Sequence, residues 1–137
     1  IGACDVNYFE NICTREGVSN IYFKGSVSDE EKIEYLKHSQ LFILPSYAEG
    51  QPLSILEAMA SGLPIISTKV GSIPEIIIDK VNGFVIEPGD IRGLANYIDY
   101  FASNRLIRQK ISANNLDFAK RLYNIERMIK DISNLYK

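Results

Sequence analysis

A chain of 137 residues, 46 % apolar, with five prolines and a formal net charge of −2, suits one domain that buries roughly two thirds of its unfolded surface. This composition excludes a disordered segment, and no apolar run approaches the ~20 residues of a bilayer span. Charge is uneven, with 7 Lys/Arg against 14 Asp/Glu up to residue 104 and 8 against 3 from Arg105 onward; no basic stripe interleaved with aromatics points to nucleic acid.

The first three residues, Ile1-Gly2-Ala3, read as the tail of a parallel strand, so the chain is expected to continue upstream. Residues 5–16 are the helix that follows. Cys4 and Cys13 form no CxxC pair and read as reduced thiols, which with the lack of a legible leader predicts the cytoplasm. Residues 21–24 (IYFK) form a strand ended by Gly25. Residues 28–37 form a helix whose start carries a capping box, Ser28 and Glu31. His38 sits near its end, where a cation is favoured, and no nucleophile motif accompanies it.

Residues 41–44 (LFIL) are a strand of the kind buried on both faces. Residues 52–61 form a helix with Pro52 in its first turn and Gly62 as terminator. Residues 65–68 are a strand, and residues 73–78 a short helix with Glu75 as a first-turn acid. Residues 83–86 are the last strand. Asp90 caps a helix over 90–102, and residues 105–121 and 124–136 continue helically. Tyr97, Tyr100, Tyr123 and Tyr136 recur at helical spacing and are assigned to packing. The basic helical end leaves room for a peripheral membrane contact, beside the plainer reading of a solvated helix pair. Strands alternating with helices predict an α/β, Rossmann-like three-layer domain with a parallel sheet and right-handed crossovers over residues 1–137.

The stretch EGQPLSILE, Glu49 to Glu57, stands out: seven uncharged residues between two carboxylates. On a helical wheel Leu53, Ile55, Leu56, Met59 and Ala60 span the core face. Glu57 lies at its margin, with Ser54, Ala58 and Ser61 on a bare outer face that leaves room for a ligand. The loop 47–51 follows the strand 41–44, at the sheet edge where open parallel sheets bind ligands. The helix start offers unpaired N–H groups and the positive end of a dipole, suited to phosphate, and Gly50 admits close approach. Glu57 lies about 7 Å along the axis from Pro52. Hydroxyls on either side of a bound phosphate would meet Glu57 and Glu49, the order found in a nucleotide sugar. The plainer reading makes both glutamates solvated surface residues.

The segment LFILPSYAEGQPLSILEAMASGLPIISTKVGSIPE (residues 41–75) resembles the C-terminal domain of GT-B retaining glycosyltransferases, family four or glycosyl transferases group one. The match rests on the E-x7-E pair Glu49 and Glu57, the LPS turn, the EAMASGLPII run and the G-x-x-P-E turn from Gly71 to Glu75. IYFKGSVSDEEKIEYLKHS and GFVIEPGD are similar to flanking parts of the same domain. The resemblance implies a nucleotide diphosphate sugar donor. Glu49 would bind the transferred sugar and stabilise its developing positive charge, a catalytic role. Backbone amides of Gly50, Gln51, Pro52 and Leu53 (proline contributing none) would lie against the sugar and diphosphate. Glu57 would bind the ribose, and Gly25 and Val27 would flank the base. It implies no metal and no cofactor beyond the donor; no DxD motif or His/Cys cluster suggests one. A separate N-terminal domain would bind a glycan or lipid-linked acceptor in polysaccharide or glycolipid synthesis, so the fragment alone is expected to be inactive.

Two residues depart from the family pattern. Gln51 stands where an aromatic is frequent, and Ser72 where a second glycine is common. The family's diphosphate-neutralising Arg and Lys pair would fall upstream, and Lys24 and Lys69 read as surface lysines. The alternative is a non-catalytic doubly wound interaction or regulatory module. A dinucleotide oxidoreductase would need GxGxxG after a strand, and a phospho-receiver an Asp at a strand end; LFILPS has none.

Overall fold

The computed structural model describes residues 5–122. The chain divides between Lys37 and His38 into two compact units. In the first, α1 (Val6–Arg15) starts at Asp5, whose carboxylate accepts the Tyr8 N–H at 3.1 Å. The Phe9 ring of α1 stacks on Phe23 at 5.9 Å. Helix α2 (Asp29–His38) closes the expected capping box: Ser28 Oγ accepts from the Glu31 N–H at 3.2 Å, and the Glu31 carboxylate accepts from the Ser28 N–H at 3.0 Å. Residues 21–24, expected as a strand, are not one. Ile21 is 52 % and Tyr22 78 % exposed, and the segment joins no ladder among the described residues. Pairing needs a neighbour's N–H and C=O groups, which a run's own hydropathy does not encode.

The second unit holds β1 (Phe42–Leu44), α3 (Leu53–Ala60), β2 (Ile65–Thr68), α4 (Ile73–Ile76), β3 (Gly83–Ile86), α5 (Ile91–Ser103) and α6 (Arg105–Leu122). Its three strands are parallel in the order β1-β2-β3, with Leu44 beside Ser67 and Thr68 beside Ile86. All four β2 residues are buried, as suits a central strand. Strand β1, expected to be buried on both faces, is instead an edge among the described strands, and Ile43 is 36 % exposed. An apolar run reports that a strand is sheltered, not how many neighbours it has.

The core joins Ile66 of β2, Phe84 and Ile86 of β3, Phe101 of α5 and Ile111 of α6. Each such side chain contributes roughly 1.5–3 kcal/mol. The Tyr97 ring stacks on Phe84 at 4.1 Å and Tyr100 meets it edge-on at 5.6 Å, so both tyrosines pack as expected. Helix α5 is capped by Asp90, whose Oδ1 accepts the Gly93 N–H at 2.8 Å. The α5–α6 corner is closed by Arg108, whose guanidinium donates to the Phe101 and Ala102 carbonyls. Tyr123, Tyr136, Cys4, the helix expected over 124–136 and the strand tail over 1–3 lie outside the described residues.

Two fully buried asparagines tie the layers together. Asn82 Oδ1 accepts the Ile78 N–H at 2.8 Å, and its amide donates to the Ile76 carbonyl at 3.0 Å. Asn115 of α6 donates to the carbonyls of Leu63 at 2.7 Å and Asn82 at 2.8 Å, joining α6 to the loops that feed β2 and β3. Replacing Asn115 by alanine strands two carbonyls. Denaturant unfolding should show a loss of about 2–4 kcal/mol, whereas Asn114→Ala, which gives up one exposed bond to Val81, should cost under about 1 kcal/mol.

Candidate functional site

The segment LPSYAEGQP leaves the carboxyl end of β1 and cannot continue as strand, because Pro45 and Pro52 lack an amide for a ladder. Pro52 is the N-cap of α3, at φ −74° and ψ 101°. It stands one place before the expected first turn, since its extended ψ swings the loop into the helix axis. Ser61 is the C-cap, and Gly62 at φ +73° follows. The Gly62 N–H bonds to the Met59 carbonyl and the Leu63 N–H to Ala58, a Schellman closure.

The loop is pinned from below by β2 and the turn after it. Ser67 Oγ donates to the Leu44 carbonyl at 2.8 Å, and Thr68 Oγ1 to the Ser46 carbonyl at 2.5 Å. Ser72 donates twice to the Gly50 carbonyl, through Oγ at 2.7 Å and N–H at 3.2 Å. Gly71, at φ +53°, lies so close that a Cβ there would stand 1.9 Å from the Glu49 carbonyl oxygen. The carbonyls of Glu49 and Gly50 therefore both face the 71–72 turn.

A trans peptide points its N–H opposite its C=O, and no peptide here is cis. The Gly50 and Gln51 N–H groups are thus both turned away from the 71–72 turn. Neither donates to a protein group among the described residues, and nothing lies within 4 Å of a Cβ built on Gly50. Two successive open amides supply the kind of donors an anion site uses, and the first turn of α3 follows them with the positive end of its dipole.

Glu49 is half-buried, and Ser46 Oγ donates to its Oε1 at 2.6 Å. Its Oε2 has no protein partner among the described residues. Glu57, also half-buried, lies in α3, and its carbonyl accepts Ser61 Oγ at 2.9 Å. The buried face of α3 is rotated from the expected one. Ile55, Ala58 and Met59 are fully buried, Leu53 is 68 % exposed, and Ala60 is exposed. Helix α6 packs along α3 while β1 and β2 pack on another side, so the sheltered arc extends to Ala58, which a wheel with one core face places outside.

Glu49, Gly50, Gln51, Pro52, Leu53 and Glu57 thus form one continuous loop and helix. Gly25, at φ +60°, and Val27 belong to the first unit, on the loop before α2. Glu75 is an exposed acid in the first turn of α4, and His38 ends α2. Lys24 Nζ lies 5.9 Å from the Tyr22 and Tyr35 ring centres, and Lys69 pairs loosely with Glu87 at 4.0 Å while 64 % exposed. Cys13 is a free cysteine. Among the described residues no helix is long and apolar enough to cross a membrane.

Sequence reasoning assigned no holding role to Ser46, Ser67, Thr68 or Ser72, the residues that hold the loop. One signal was available: buried hydroxyls ending the apolar run IIST must find acceptors.

A family model described as glycosyl transferases group 1 matches residues 3–118. The O-antigen chain mannosyltransferase B of Escherichia coli is 33 % identical over 124 residues, 90 % of this chain and 31 % of that protein. An uncharacterized glycosyltransferase of Methanocaldococcus jannaschii, MJ1607, is 30 % identical over 132 residues, covering 96 % of this chain and 34 % of its own. Anabaena Alr3699/HepE, solved in complex with UDP, superposes with a TM-score of 0.85 at 26 % identity over 96 % of this chain and 36 % of that one. Its complex with UDP-glucose gives 0.84. The chain spans about a third of the length of the curated relatives it matches.

Gly71→Ala places a methyl group into the Glu49 carbonyl and strains a left-handed φ. Such a change should lower stability by about 2–4 kcal/mol, read as a reduced melting temperature. Gly50→Ala, with open space around it, should shift that temperature far less.

Proposed function

The chain belongs to the glycosyl transferases group 1 family, and we propose that it is the donor-binding portion of a retaining member, binding a nucleotide diphosphate sugar. The observation that carries this reading is the pair of open amides at Gly50 and Gln51, set between a Ser46-oriented Glu49 and Glu57 on α3. An anion at the amides is flanked by carboxylates that accept hydroxyl protons, so a diphosphate with a sugar on each side fits the sequence of groups. The structural likeness to a protein solved with UDP and UDP-glucose supports the same donor class.

Glu49 presents its open Oε2 to the transferred sugar, and its charge stabilises the positive charge that develops as the sugar leaves the diphosphate. The open amides and the α3 dipole take up the negative charge growing on the leaving diphosphate; this chemistry asks for no metal or other cofactor. Glu57 holds the ribose hydroxyls. Residues 1–137 act as one donor-binding half. A glycan or lipid-linked acceptor is bound by other parts of such an enzyme, in polysaccharide or glycolipid synthesis, and this chain alone does not turn over.

Titrating UDP-, GDP- and ADP-sugars against the intact enzyme tests this. One of them should bind, and Glu57→Ala should weaken it tenfold or more, about 1.5–3 kcal/mol for a charged hydrogen bond. Glu49→Ala should abolish most turnover. A folded enzyme that binds none of the three, or is indifferent to Glu57→Ala, returns the chain to the class of non-catalytic modules.

A further inference from the structure

We propose that Ser72 is a positioning residue that latches the Gly50–Gln51 peptide in its donor-binding orientation; the inference rests on the reading of the site as a nucleotide-sugar pocket. One side of this peptide is free to turn. It is flanked by Gly50, which carries no side chain and has open space where one would stand. Rotating this peptide by half a turn would aim its carbonyl oxygen toward the donor and its N–H toward the protein. An anionic diphosphate would then meet an oxygen in place of a donor group.

The turn at Gly71–Ser72 holds against that rotation. The backbone N–H of Ser72 reaches the Gly50 carbonyl at 3.2 Å, a long bond by itself. The Ser72 hydroxyl adds a second bond at 2.7 Å to the same oxygen. A carbonyl has two lone pairs, and filling both fixes the peptide plane as well as the oxygen. A glycine at position 72 would keep only the long bond. Gly71 works from beside it, since its bare Cα lets the Glu49 and Gly50 carbonyls come close enough for the hydroxyl to reach.

The latch acts on one end of the ligand. The Gly50 and Gln51 amides adjoin Glu49, where the sugar and its nearer phosphate lie. Glu57 and the ribose depend on α3, whose position Ser72 does not set. Losing the hydroxyl should therefore weaken the sugar end and spare the nucleoside end.

The test compares Ser72→Ala, Ser72→Gly and Ser72→Thr in the intact enzyme, with calorimetric titration of the nucleotide sugar it binds and of the matching nucleoside monophosphate. Ser72→Ala and Ser72→Gly should weaken the nucleotide sugar about fivefold, the effect of one neutral hydrogen bond. The monophosphate should bind as before, and Ser72→Thr, which keeps a hydroxyl, should recover most of the loss. Equal weakening of both ligands, an alanine variant that binds like the parent, or a threonine variant no better than alanine overturns the latch. If Glu57→Ala weakens binding and Ser72→Ala does not, only the latch fails. If the folded parent binds no nucleotide sugar, the functional reading fails and the latch with it.

Discussion

The site depends on one close approach. The Glu49–Gly50 carbonyls lie against a turn whose Gly71 leaves no room for a side chain. Because a trans peptide is rigid, placing two carbonyls on one side places the next two amides on the other. The loop thereby turns the Gly50 and Gln51 N–H groups outward through backbone geometry alone. The arrangement is sterically tight on the protein side and open on the other.

Strand β2 supplies the rigidity. It is central and fully buried, and its last two residues carry hydroxyls that cannot be left unbonded there. They spend that obligation on the Leu44 and Ser46 carbonyls. Ser46 in turn turns its own hydroxyl to the Glu49 carboxylate. A chain of hydrogen bonds thus runs from the middle of the sheet to a carboxylate at its edge, so Glu49 is set by the core. The asparagine ties at the other end, Asn82 and Asn115, hold the loops that feed β2 and β3.

Much of this was legible locally. The Ser28–Glu31 box and the Asp90 cap close as their spacing foretells, because each is complete within four residues. Strands β2 and β3 and the ends of α3 follow from short apolar runs and from Gly62. The E-x7-E pair was visible as an anomaly, an uncharged stretch between two acids. Three features were not legible: that 21–24 joins no ladder and that β1 is an edge, both among the described residues, and the rotation of α3 that buries Ala58 and exposes Leu53. Each depends on a neighbour distant in sequence.

The amino-acid sequence alone determined the elements, their caps, the parallel α/β class and the two glutamates with an amide-rich loop between them, because those follow from spacing within a few residues. Only the tertiary structure decided which way the loop's peptides face and which hydroxyls hold them. Ser72 lies 22 residues from Gly50, and Thr68 22 residues from Ser46. Hydrogen bonds across such separations exist only once β1 and β2 are side by side.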